Sequence, residues 1–119
     1  MPRSNALKTL LEDAARSVRD HETAARVALE RGEKSAYLSA LVAKCELLED
    51  LPDQIDALPE EDALPGLGRA REAALSMSRR ASQALSLESP FFMANLLYPE
   101  HYEEGQQNEL EVLIDELFS

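Results

Sequence analysis

The sequence predicts an all-α fold, an antiparallel up-down helical bundle of three long helices plus a shorter acidic C-terminal helix, and three observations predict it. Leu (20) and Ala (17) dominate the 119 residues, whereas Val, Ile and Thr together number eight, and it is β-branched side chains that lose freedom in a helix and suit strands. Apolar residues recur three and four apart in three separate stretches, the period of one helical face. Gly32, Pro52, Pro59 and Pro65 fall between those stretches, where such residues end helices and shape turns. The length suits a single domain, 1–119, able to bury a core without disulfides or metals.

The first helix is expected over about 5–31, with Leu7, Leu11, Ala14, Val18, Ala25 and Ala28 or Leu29 on its seam and His21 at the remaining step. Ser4 or Asn5 can cap its start, and Gly32 ends it by entering the left-handed region at no steric cost. A second helix follows over about 34–50, with Leu38, Leu41, Cys45 and Leu48 on one face and Tyr37 beside them. The intervening turn is short, so the two helices lie antiparallel. Residues 51–66 read as a proline-rich acidic loop, in which Pro52 could open a short helical turn ending near Leu58.

A third helix over 67–87 carries Leu67, Ala70, Ala74, Met77, Ala81 and Leu85, a seam small enough for close approach to a neighbour. Ser89 and Pro90 form a helix-start pair opening a short segment over 90–97, which Pro99 interrupts. Asn108 and Glu111 have capping-box spacing before Leu110, Leu113, Ile114, Leu117 and Phe118, which places the last helix over 108–118.

The formal net charge is −11, which argues against nucleic acid and against an anionic membrane surface as partners. The N-terminal stretch lacks a signal-peptide core, and no apolar run approaches the roughly 18 residues of a membrane span. A soluble, cytoplasmic protein is the expectation, and the single Cys45 agrees with a reducing compartment. Charge is also uneven along the chain: after Arg80 there are eight acids and no Lys or Arg. The plain reading packs the acidic last helix beside basic faces of the first and third helices.

Few residues offer chemistry. His21 on the first seam could be a phosphoacceptor, as in helical histidine-phosphotransfer domains, but those place Lys and Gly soon after the His, where Glu22, Thr23, Ala24 and Ala25 stand here. Arg16 and His21 have the R-x4-H spacing of HEPN ribonuclease-like domains, yet a separation of five sets them apart around a helix. A half-buried histidine bonded to a carboxylate is the favoured reading. Glu-x-x-His pairs and a second His for a zinc motif are both absent, so neither metal nor cofactor is expected. Cys45 lies on an apolar face, where a thiol stays protonated. No catalytic residue is assigned.

The stretch ESPFFMANLLYPEHYEEG, 88–105, holds four of the six aromatic residues. Phe91, Phe92, Met93, Leu96 and Leu97 could plug the open end of an Ala-rich bundle. Alternatively Phe91, Phe92, Met93, Leu96, Tyr98 and Tyr102 could rim a groove for an amphipathic segment of a partner. In size, acidity and helix content the chain resembles flagellar and type III export chaperones, which implies a client held as an amphipathic helix. The expected function is therefore a non-enzymatic protein–protein interaction module, an adaptor, chaperone or assembly factor, with a basic or amphipathic helix as partner. The alternatives are a HEPN-like or phosphotransfer-like domain acting through His21 and a self-associating bundle, a homodimer formed through the last helix.

Overall fold

A computed structural model describes residues 6–58, 66–99, 103 and 105–118, and every regular element among them is an α-helix. The helices are α1 (Ala6–Glu30), α2 (Lys34–Asp56), α3 (Leu67–Ser86), α4 (Pro90–Asn95) and α5 (Glu109–Phe118). Three of them are long and form the expected bundle. α2 is its centre, packed along α1 on one side and along α3 on the other. α1 and α3 have little direct backbone contact, so a channel runs between them over the face of α2.

Two short elements fill that channel. α5 occupies one half, held to α1 by Arg19–Glu111 and to α3 by Arg69–Glu116 and Arg80–Glu109. Its acidic surface thus meets arginines of the first and third helices, the arrangement that the charge asymmetry suggests. α4 and the turn after it occupy the other half, where Met93, Leu96 and Leu97 are buried.

The α1 and α3 seams match their sequence patterns closely, since Leu7, Leu11, Ala14, Val18, Ala25 and Ala28 are buried, as are Ala70, Ala74, Met77 and Ala81. Leu29, the other option beside Ala28, faces solvent. α1 ends as expected at Gly32, which has φ 71° and closes a Schellman motif in which Glu33 N–H donates to Ala28 O and Gly32 N–H to Leu29 O. The first-helix caps Ser4 and Asn5 lie outside the described residues.

The second helix is longer than the expected 34–50. It continues through Pro52 to Asp56, so 51–56 is not part of a loop. A proline in a helix interior forfeits one backbone bond. Here Leu51, Pro52 and Ile55 are all buried in the bundle, and that burial outweighs the lost bond. The remaining prolines of that stretch, Pro59 and Pro65, lie outside the described residues.

Candidate functional site

The chain from Glu88 to Pro99 is built by three local devices. α3 ends in a second Schellman motif, with Ser89 N–H donating to Ala84 O and Glu88 N–H to Leu85 O. Glu88 stands in the left-handed position, φ 51°, where α1 uses glycine. Ser89 then caps α4 by accepting from Phe92 N–H at 3.2 Å, with Pro90 at the first helical position. α4 stops at a tight turn in which Tyr98 N–H donates to Asn95 O, Leu96 has φ −58° and ψ 134°, and Leu97 has φ 79°. These are the angles of a type II turn, whose third position favours glycine. Leu97 occupies it because its side chain is buried in the channel.

This geometry divides the aromatic segment. Met93 is 2% exposed, and Leu96 and Leu97 are buried with it, so these three form the plug. Phe91 and Phe92 point outward instead, 69% and 51% exposed, with their rings edge to face at 5.7 Å. Six residues of helix cannot turn every large side chain inward. Of the residues proposed from the sequence as partner contacts, Met93 and Leu96 are therefore core, and Phe91 and Phe92 are surface. Tyr102 lies outside the described residues.

Phe92 forms one wall of a groove of about 390 Å³ whose other residues include Ala84 and Leu87 of α3 together with Leu96, Leu97 and Tyr98. Leu87 is 57% exposed, so with Phe91 and Phe92 it gives this end of the bundle an apolar surface. Contiguous exposed aromatic and aliphatic groups of this kind mark binding surfaces more often than accidents of composition.

Tyr98 anchors the far end of the segment in a polar cluster that the sequence did not reveal. Its hydroxyl donates to Glu22 Oε1 at 2.7 Å. Glu22 Oε2 pairs at 2.9 Å with Lys44 Nζ, a side chain with no exposure at all, which also donates to Ala94 O at 3.2 Å and lies 5.4 Å from the Tyr98 ring centre. Burial holds the Lys44 ammonium below its ordinary pKa, against the opposing pull of Glu22. Burial first, and then the bond to Glu22, raises the Tyr98 phenol. Lys44 falls one step before Cys45 on the α2 seam, and only its neighbours from α1 and α4, distant in sequence, explain why a charge can stand there.

Arg19 continues the cluster towards α5. It donates to both carboxylate oxygens of Glu111, at 3.0 and 2.6 Å, and to Gln106 O at 2.9 Å. Its bond to Glu111 raises the Arg19 pKa and lowers that of Glu111. The capping box expected at this point is present: Glu111 N–H donates to Asn108 Oδ1 at 2.8 Å and Asn108 N–H to Glu111 Oε1 at 2.9 Å.

The remaining chemical candidates are scattered. Arg16 is exposed and paired with Asp13. His21 is half-buried, and among the described residues it forms no bond to a carboxylate, which corrects the expectation that it would. Cys45 is fully buried, and burial pushes its thiol up to about 11. Among the described residues no group of three His, Cys, Asp or Glu is placed to hold a metal ion, and no helix is long and apolar enough to cross a membrane. In comparisons with known proteins, no family model, curated protein or solved structure matches the chain.

Proposed function

We propose that the protein is a non-enzymatic interaction module that binds an amphipathic helical segment of another protein in the groove between α3 and α4. The observation that carries this reading is the outward placement of Phe91 and Phe92 beside exposed Leu87. Rings that could have filled an Ala-rich channel are held in solvent by a capped helix. Aromatic anchors at a groove edge suit the i, i+3, i+4 stripe of a docked helix.

Charge selects the occupant. A net charge of −11 opposes a second copy of the same chain and favours a partner with Lys or Arg flanking its apolar stripe. Residues 88–119 carry eight acids and no Lys or Arg, and three of those acids are paired with Arg19, Arg69 and Arg80, so the C-terminal part of the chain keeps an acidic excess.

A photo-crosslinking residue in place of Phe92, compared in the native cell with one in place of exposed Asp53 on α2, tests the proposal. Adducts formed at position 92 alone, reduced by Leu87→Ser and mapping to an apolar segment rich in Lys or Arg, are the expected result. Adducts to a second copy of the chain, or equal adducts at both positions, would overturn it.

A further inference from the structure

α4 does not span the channel that it enters. It packs against α2 and α3 with no comparable packing against α1, whereas α5 packs against α1 in the other half of the channel. A slot of about 430 Å³ therefore stays open between α4 and the C-terminal half of α1. Ala25 and Leu29 of α1, Tyr37 and Leu41 of α2, and Ala94 with Tyr98 line it. It lies on the opposite flank of α4 from the α3–α4 groove, and Tyr98 is the residue that the two share.

Three charged side chains of α1 also border the slot, Arg19, Glu22 and Arg26, on one face at helical spacing. Two of them are already matched. Arg19 holds both carboxylate oxygens of Glu111, and Glu22 meets the Tyr98 hydroxyl and the Lys44 ammonium. Arg26 is exposed and forms no ion pair among the described residues. Glu103 borders the slot from the turn before α5 and is exposed, so a cationic ligand also needs weighing. The Tyr98 ring, which would attract such a cation, already has Lys44 at 5.4 Å and Arg19 at 5.8 Å from its centre. The α1 wall thus favours an anion.

The geometry points to a binding site for a free small molecule that joins an apolar, aromatic body to one carboxylate. The body lies on Leu41, Ala94 and the tyrosine rings, and the carboxylate meets the Arg26 guanidinium, whose planar fork suits it. Volume selects the size of the occupant. The slot falls in the range of roughly 300–1,000 Å³ usual for small-molecule sites, whereas a ten-residue helix, about 15 Å long and about 10 Å across, needs more than twice the slot. The site uses the other flank of α4 and stands apart from the partner reading.

Naphthylacetate, naphthylacetamide and naphthylethylamine share an aromatic body and differ in charge. Followed by NMR on the full chain, the acetate should bind with a Kd of about 1 mM or tighter. It should bind about fivefold tighter than the amide, as an exposed ion pair allows, and the amine should bind most weakly. Methyl shifts should gather at Ala25, Leu29, Leu41 and Ala94, away from Ala84 and Leu87 of the α3–α4 groove. Arg26→Gln should erase the advantage of the acetate and leave the amide unchanged. Ala94→Leu, which narrows the slot, should weaken all three probes; Arg26→Gln, a surface change, carries the test should Ala94→Leu disturb the fold. The site is contradicted by an amine that binds as tightly as the acetate, by an advantage that survives Arg26→Gln, by shifts centred on Ala84 and Leu87, or by no shift up to about 10 mM probe.

Discussion

Glu88 and Gly32 occupy the same position in the same motif, and that pairing isolates the effect of one side chain. Both follow a helix, both have positive φ, and both donate into the last helical turn. Glu88→Gly should stabilise the protein by about 0.5–1 kcal/mol, and Gly32→Ala, with open space around the added methyl, should destabilise it by about 1 kcal/mol through φ alone. Urea midpoints measure both, and a stabilising Gly32→Ala would contradict the assignment. Lys44 and Glu22 make an asymmetric pair at the same scale. Glu22→Gln leaves a fully buried ammonium short of its counter-charge and should cost about 3 kcal/mol. Lys44→Met strands the buried Oε2 of Glu22 but leaves Oε1 bonded to Tyr98 on a side chain that is 18% exposed, and should cost less in the same titration.

At the scale of elements, α5 is held by a capping box and three arginines rather than by length. Ten residues of helix are marginal alone, so its packing into the channel depends on Leu110, Leu113 and the Arg19–Glu111 bond. Because Arg19 lowers the Glu111 pKa in the folded state, this carboxylate stabilises the fold fully above its ordinary value of 4.5 and loses that contribution as pH falls through the lowered value. Unfolding free energy followed from pH 7 to pH 3 should therefore decline, and Glu111→Gln should flatten the decline while lowering the plateau. Parallel curves for the two proteins would contradict the linkage. The elements were also the most legible level of the sequence. Spacing located the α1 and α3 seams, Ser89–Pro90 located α4, and Asn108 with Glu111 located α5, because each signal is local. Pro52 misled, since its penalty is local whereas its compensation, the burial of Leu51, Pro52 and Ile55, comes from packing against other helices.

At the scale of the whole molecule, the bundle is a three-helix layer whose channel is filled from one side by α5 and α4. The candidate site depends on that second filler. Sequence identified the aromatic segment but could not sort its members, since Phe91, Phe92 and Met93 are adjacent and the direction of each is set by where α3 ends and how α4 meets the channel. The Lys44 cluster was invisible for a related reason: its parts come from α1, α2 and the turn after α4. The central claim is that this segment combines an inward plug with an outward apolar face available to a partner. Unfolding free energies of Phe91→Ala/Phe92→Ala and of Met93→Ala test it most directly. The double variant should stay within about 1 kcal/mol of the parent, as surface substitutions do, while Met93→Ala should lose about 2 kcal/mol or more through a buried cavity. A double variant as unstable as Met93→Ala would place the rings in the core and contradict the account.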